Sequence, residues 1–185
     1  YNLSDYFRTP EELSDYYYTL GYFIGEFFSD YDLVIDCYNH SLSVTDNADS
    51  MENATIYNNV GHICSLMGHY DQALEMHQKA LSIRSKLLAP DHILSAQSYG
   101  NMGFIYDKLG QYGNALELFH KSLDIHKKQC GGVDDVFVAN DYNNIGHVLT
   151  NQGRLLEGLE YEKKALSIRQ MLLGDNNFDT AMSYH

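Results

Sequence analysis

The segment Tyr99-Gly100-Asn101-Met102-Gly103-Phe104-Ile105 decides the fold, because related segments occur at two other places in the chain. They occupy residues 57–63 and 142–148, which places them 42 residues before and 43 residues after it. A second run, at residues 79–84, 121–126 and 164–169, recurs with the same period. A fixed period of about 20–50 residues is the signature of a repeat architecture. The 185-residue chain is therefore predicted to be a repeat protein.

Each unit of the repeat is predicted to contain two helices. Apolar or small residues follow the i, i+3, i+4, i+7 spacing of a helical face twice within one unit. Between the two runs lies Gly110, and glycine can adopt the left-handed conformation that ends a helix. Gly68 and Gly153 hold the same place in their units. The face residues of the central unit are Tyr99, Met102, Gly103 and Tyr106, then Ala115, Leu116, Phe119, Ser122 and Leu123.

Small residues recur where the two helices of a unit are expected to touch. They allow the two backbones to approach closely, and a large side chain there would overpack the pair. They are Gly61, Gly103 and Gly146 on the first helices, and Ala73, Ala115 and Gly158 on the second helices.

The repeat boundaries follow from the period. Residues 1–50 are predicted to be a degenerate N-terminal repeat, in which Thr9-Pro10-Glu11-Glu12 is a capping box that begins the first helix. Three repeats follow at residues 51–92, 93–135 and 136–175, and residues 176–185 are expected to begin a further one. About nine helices are predicted, the last of them truncated.

The pattern W-x₂-L-G-x₂-Y followed by A-x₃-F is the tetratricopeptide signature. The unit that begins at Tyr99 matches it, with tyrosine in place of tryptophan. The longer period, the paired asparagines and the Lys-Ala-Leu-Ser-Ile-Arg run resemble the kinesin light chain type of repeat. The resemblance implies an all-α, right-handed superhelix of antiparallel helix pairs, whose first helices line a groove that binds peptides. The heptad region that binds the motor is not among these residues, so motor association is not carried over.

In that family, asparagines of the first helix hold the backbone of the bound peptide. Asparagine is a poor helix former, and its amide can donate to and accept from a peptide unit at once. The alternative is that these amides tie one repeat to the next. The matching residues here are Asn59, Asn101 and Asn144, with Asn58 and Asn143 beside them; His62, Phe104 and His147 lie one turn further on.

Composition and motifs exclude several classes of function. A net charge of -13 disfavours a nucleic-acid surface, which depends on clustered cations. No apolar stretch is long enough to cross a membrane, and the three cysteines lie far apart, which favours a cytoplasmic location. No metal-ligand cluster, phosphate-binding loop or nucleophile motif is present in the sequence, so no catalytic residue, metal or cofactor is expected. The chain is predicted to be a non-enzymatic scaffold that binds a protein or peptide partner.

The charges of the first helices predict the charge of that partner. Residues 51–67 and 134–152 hold no lysine or arginine, and residues 92–109 hold Lys108 alone. A groove without cations cannot offset the desolvation of a carboxylate, so a neutral or basic peptide is expected. The second helices carry the remaining cations of the repeats, including Arg84 and Arg169, and these are expected on the convex side.

Two other interpretations stay open at the level of sequence. The chain is either a scaffold in its own right or the repeat arm of a larger enzyme or signalling ATPase whose catalytic domain lies elsewhere. Self-association through the terminal repeats is the third possibility.

Overall fold

The computed structural model describes residues 6–7, 9–28, 30–45, 47–131 and 135–173. These residues form eight α-helices and no β-strand, which confirms the predicted all-α chain of helix pairs. The ninth helix, expected at residues 176–185, lies outside the described residues. The helices are α1 (Pro10–Phe27), α2 (Tyr31–Val44), α3 (Met51–Leu66), α4 (Tyr70–Leu87), α5 (Ile93–Lys108), α6 (Tyr112–Gln129), α7 (Val136–Asn151) and α8 (Leu155–Leu173).

The chain forms two compact units, each built from two helix pairs. Unit 1 is Tyr1–Leu87, in which α1 packs on α2 and α3 on α4. Unit 2 is Leu88–His185, in which α5 packs on α6 and α7 on α8. The largest apolar cluster of unit 2 joins α6, α7 and α8, so α7 packs against the pair before it as well as against its own partner. The cluster consists of Ala115, Phe119, Leu123, Val138, Ala139, Ile145, Val148, Leu149, Ala165 and Ile168.

Local signals set the helix ends. Thr9 precedes Pro10 and its Oγ1 accepts a hydrogen bond from the backbone N–H of Glu12 at 3.2 Å, as the capping box predicts. Gly110 has φ +70°, in the left-handed region that other residues rarely adopt. Gly68 and Gly153 have the same conformation, so three helix pairs turn at equivalent glycines.

In three of the four pairs, a ring on the second helix lies directly on a glycine of the first, and in the fourth the side chain of Glu162 does so. A Cβ added to Gly103 would be 3.0 Å from Cε1 of Phe119, and one added to Gly61 would be 2.9 Å from Nε2 of His77. These distances are shorter than ordinary van der Waals contact, so each glycine is required by what covers it. The pairs are Gly21 with Tyr38, Gly61 with His77, and Gly103 with Phe119.

The small residues predict that the backbones of the two helices touch, and this is the case only in the α7/α8 pair. A Cβ on Gly146 would be 3.1 Å from the carbonyl oxygen of Gly158 and 2.9 Å from Cγ of Glu162. In the α3/α4 and α5/α6 pairs a ring fills that space instead. The expected close approach is therefore correct, but what approaches the glycine is most often an aromatic or imidazole ring.

A tyrosine and a lysine that both recur with the period face each other within the α3/α4, α5/α6 and α7/α8 pairs. Lys79 Nζ lies 5.6 Å from the centre of the Tyr57 ring, and Lys121 Nζ lies 5.8 Å from that of Tyr99. The α7/α8 pair has the same contact, between Lys164 and Tyr142 at 5.7 Å. Such cation–π contacts contribute about 0.5–1 kcal/mol at exposed sites. They explain why both residues recur in each unit.

Two of the cations expected on an outer surface are buried. Arg84 is 2 % exposed and Arg169 is 8 % exposed. His126 occupies the equivalent position in its own repeat and is also buried. This position of the second helix therefore faces the interior. Arg169 Nη2 donates to Oδ1 of Asn140 on α7 at 2.9 Å. The prediction that Arg84 and Arg169 face outward is therefore wrong.

His77 places an imidazole ring in the core of unit 1. Its side chain is 1 % exposed, and its Nδ1 has no hydrogen-bond partner among the described residues. Burial, together with the nearby His62 and Arg84, lowers the pKa of His77 from the ordinary 6.5 to about 4. The His77 ring is therefore neutral at neutral pH. In the next helix pair, Phe119 covers the equivalent glycine and has no polar atom in its side chain.

Gly103→Leu is expected to destabilise the chain by roughly 1–3 kcal/mol, because the new side chain overlaps the Phe119 ring. Gly113→Leu is the matched control, since a Cβ on Gly113 meets no atom within 4 Å. Urea denaturation measures both variants. Equal loss of stability in the two would contradict the packing described for Gly103.

His77→Phe is expected to remove a pH dependence of stability. Since the native pKa of His77 is below its ordinary value, the unfolded chain binds more protons between these values and stability falls as pH falls. The loss on going from about pH 7.5 to about pH 5 is about 2 kcal/mol for this group. Urea midpoints at the two pH values should differ less in His77→Phe than in wild type. A difference of the same size in both proteins would show that His77 is not the responsible group.

Candidate functional site

The exposed side of the first helices in unit 2 is a stripe of residues at i, i+4, i+7 and i+11. Six of its eight residues are exposed and two, Asn101 and Asn144, are half-buried. Helices α5 and α7 contact each other, so the two stripes are neighbours. We call this surface the first-helix face; it consists of Gln97, Asn101, Phe104 and Lys108 on α5, and Asn140, Asn144, His147 and Asn151 on α7.

Asn144 has an amide available to a ligand. It is half-buried in α7, and it forms no hydrogen bond with any residue that the structure describes. A peptide unit can supply both a donor and an acceptor to it.

Asn59, at the matching place in unit 1, is hydrogen-bonded to the hydroxyl of Tyr38 on α2. It therefore ties one repeat to the one before it, which is the alternative role that the sequence leaves open. Phe119 lies in the repeat before Asn144, at the position that Tyr38 occupies in the repeat before Asn59. Phenylalanine has no hydroxyl. This difference explains why Asn144 lacks the partner that Asn59 has. Asn101 is half-buried and does have a partner within the protein.

The asparagines beside these three differ in exposure. Asn58 is 8 % exposed, so its amide lies in the interior of unit 1 rather than at a surface that a ligand can reach. Asn143 is half-buried on α7. Gly100 occupies the matching place on α5, which shows that this position does not require an amide.

The aromatic residues of the predicted site lie at the surface. Phe104 is 47 % exposed, and Lys108 Nζ lies 5.0 Å from the centre of its ring. The His147 side chain is 55 % exposed, and His62 is exposed on α3. An exposed ring beside an amide is a combination that can receive an extended peptide, because the ring covers apolar atoms while the amide pairs with the backbone.

Asp107 is part of this surface, although the repeat pattern of the sequence does not predict it. Its side chain is 5 % exposed, and its Oδ1 accepts a hydrogen bond from Asn151 Nδ2 at 3.0 Å. His147 Nδ1 lies 3.3 Å from its Oδ2. The residues at the equivalent positions of the neighbouring repeats are Ser65 and Thr150. The repeat pattern therefore does not predict a carboxylate at position 107. The signal that reveals it is a carboxylate on the buried side of a helix, which requires polar partners.

A second buried histidine joins α6 to α7 in unit 2. His126 Nδ1 lies 2.5 Å from Oδ2 of Asp141, and the His126 ring stacks on Phe137 with the ring centres 5.3 Å apart. The pair is buried on both sides and connects neighbouring helices. Its geometry is that of a structural contact rather than of a site open to substrate.

The described residues hold no group of three or more histidine, cysteine, aspartate or glutamate side chains arranged to bind a metal ion. Within the same part of the chain, none of the helices has the length and apolar character needed to span a bilayer.

Family profiles described as "Tetratricopeptide repeat" match residues 17–86, 52–128 and 138–179. Together they cover most of the chain. The protein therefore belongs to the tetratricopeptide repeat family. No curated protein sequence matches it.

Solved structures with the same fold agree with this assignment. BtubC (BKLC) from P. vanneervenii has a TM-score of 0.82 and 21% identity, covering 91% of this chain and 67% of BtubC. A kinesin light chain with TPR-like repeats from Podosopora anserina has a TM-score of 0.76 and 14% identity, with 96% and 84% covered. A Rap protein complexed with Competence and Sporulation Factor has a TM-score of 0.72 and 18% identity, covering 97% of this chain and 48% of the Rap protein. The predicted kinesin light chain type of repeat is thus confirmed at the level of fold.

Asn59→Ala is expected to lower the free energy of unfolding by about 1 kcal/mol, because the Tyr38 hydroxyl loses its partner. Asn144→Ala is expected to change it by less than about 0.5 kcal/mol, because no internal hydrogen bond is lost. Urea denaturation compares the two variants. A loss at Asn144 as large as that at Asn59 would mean that both amides hold the fold.

Proposed function

We propose that this protein is a non-enzymatic scaffold that binds peptide segments of partner proteins on the exposed sides of its first helices. The observation that carries the proposal is the unpaired, half-buried amide of Asn144 on the first-helix face. Exposed Phe104 and His147 lie one turn from the asparagines of that face and offer contact to apolar parts of a peptide. Membership of a repeat family and the fold it shares with a Rap protein that is complexed with a factor support the same role.

The charge of the surface favours neutral or basic peptides. Lys108 is the one lysine or arginine of the first-helix face, and it lies over the Phe104 ring. Asp107 adds a carboxylate directly beneath His147. An acidic peptide would bring further negative charge to a protein of net charge -13. Electrostatic complementarity therefore selects against it.

The location and the further contacts of the scaffold follow from the same features. We place it in the cytoplasm, where free thiols such as those of Cys37, Cys64 and Cys130 are kept reduced. Self-association through the terminal repeats stays a prediction, and exposed Leu155 and Leu156 on α8 provide a surface for it. Membership of a larger enzyme or signalling ATPase is the remaining alternative.

Asn144→Ala is expected to weaken the binding of neutral and basic peptides by about tenfold, because two hydrogen bonds to the peptide backbone are lost. Fluorescence anisotropy with labelled acidic, neutral and basic peptide libraries, at low and high salt, measures this. Asn114→Ala on α6 is the matched control, since Asn114 is exposed and bonds only to Gln111 among the described residues. Tight, salt-sensitive binding of acidic peptides that is lost in Asn144→Ala would refute the proposed charge preference. Absence of binding by every peptide would refute the peptide-binding role.

A further inference from the structure

Unit 1 contains a cleft between α3 and the α1/α2 pair, and one end of the cleft is acidic. The cavity at this end has a volume of about 290 Å³, and it is continuous in its lining with a second cavity of about 260 Å³. Both cavities share Asp15 and Glu52, and the second adds Glu11. The larger cavity is lined in part by Ser14, Asp15 and Tyr18 from α1, and by Met51, Glu52 and Ile56 from α3.

No described residue neutralises these carboxylates. Glu11, Asp15 and Glu52 form no ion pair within the described part of unit 1. The exposed lysines of unit 1 are engaged elsewhere, Lys79 with Glu75 and Lys86 with Asp49. Glu11 and Glu52 lie in the first turns of α1 and α3, where the helix dipole favours an acid. Asp15 lies beyond the first turn and has no such stabilisation.

The lining of the acidic cavity is suited to a long cationic side chain. Tyr18 and Met51 offer apolar surface to the methylene groups of such a side chain. Asp15 and Glu52 then face its charged end from α1 and α3. Lysine and arginine bind in this way, with the stem on apolar surface and the charge against carboxylates.

The other end of the cleft is mainly apolar, although Glu26, Asn59 and His62 also line it. A cavity of about 290 Å³ lies between the C-terminal halves of α1 and α3 and the start of α2. Glycines on α1 leave this space open, since a Cβ on Gly25 would be 3.6 Å from Cγ2 of Val34. The volume and lining suit one large apolar side chain. The apolar lining includes Gly21, Gly25, Val34, Ile63 and Leu66.

The two ends are separated by the same distance on both helices. Seven residues separate Asp15 from Tyr22 on α1, and seven separate Ile56 from Ile63 on α3. Seven helical residues span about 10 Å and make nearly two turns, so the members of each pair lie on one side of their helix. In a polyproline II segment, residues three apart lie on one side and about 9 Å apart. Asp15 and Gly25, and likewise Glu52 and Ile63, are ten and eleven residues apart, which is about 15 Å along the helix. The two ends therefore fit side chains three to five residues apart in an extended peptide.

We infer that the cleft of unit 1 binds an extended partner segment in which a lysine or arginine lies three to five residues from a large apolar residue. The inference rests on the proposed peptide-binding function and specifies the motif that one part of the chain recognises. Asp15 and Glu52 select the cation, and the cavity beside Gly25 selects the apolar side chain. The Asn144 surface of unit 2 takes no part in this selection.

Labelled nine-residue peptides with one arginine and one leucine, placed two to five positions apart in both orders, test the inference by fluorescence anisotropy. The tightest binding is expected at one spacing between three and five, in one of the two orders. Exchange of the arginine for glutamine is expected to weaken binding by about tenfold. Equal affinity at all spacings would overturn the inference.

Asp15→Asn combined with Glu52→Gln is expected to abolish the preference for arginine over glutamine. Asp32→Asn combined with Asp36→Asn is the matched control, because it removes the same charge from the exposed part of α2. Equal loss in both double variants would overturn the inference in favour of general attraction by an acidic protein. Urea midpoints verify that the variants are folded.

Gly25→Leu fills the apolar cavity and is expected to abolish the preference for leucine, whereas Gly25→Ala leaves most of the volume open. Asn144→Ala is expected to leave the spacing preference unchanged. If peptides bind but neither spacing nor the Asp15 and Glu52 variant matters, the inference fails while the proposed function stands. If no peptide binds at all, the proposed function fails and the inference with it.

Discussion

The fold depends on one contact that recurs in every helix pair, in which the first helix offers a glycine and the second covers it. The glycine sets how closely the helices can approach, because any side chain there would occupy the space that the covering group already fills. The covering group varies from pair to pair: Tyr38, His77, Phe119 and Glu162 follow one another along the chain. The fold therefore fixes the shape of this contact and leaves its chemistry open.

The identity of the covering residue determines whether the asparagine of the next repeat has a hydrogen-bond partner. Where the covering residue is Tyr38, its hydroxyl is hydrogen-bonded to Asn59, and the amide serves to connect two repeats. Where it is Phe119, Asn144 has no such partner and remains available to a ligand. A single substitution in the core of one repeat thus changes the role of an amide at the surface of the next. Repeats that look alike in sequence consequently differ in the hydrogen bonds that their asparagines form.

The two units also differ in the partners of their carboxylates. The carboxylates in the cleft of unit 1 pair with no cation among the described residues, whereas in unit 2 Asp107 is held by Asn151 and His147. A carboxylate that is already hydrogen-bonded in the native state stabilises the fold. One that lacks a partner gains from a cation supplied in trans. The same residue type is therefore structural in one unit and a candidate for recognition in the other.

The sequence by itself determined the repeat, the helix pairs and the helix ends, because these depend on signals within a few residues. The period, the capping box at Thr9 and the left-handed Gly110 are of this kind. Half of the candidate site followed from the same period, since Asn144 and His147 occupy the places that the repeat predicts. Only the tertiary structure decided that Asn58 and Arg84 are buried, and that Asp107 joins the surface. Burial and hydrogen-bond partners depend on which side chain of another helix fills the adjoining space, and no spacing within one helix specifies that side chain.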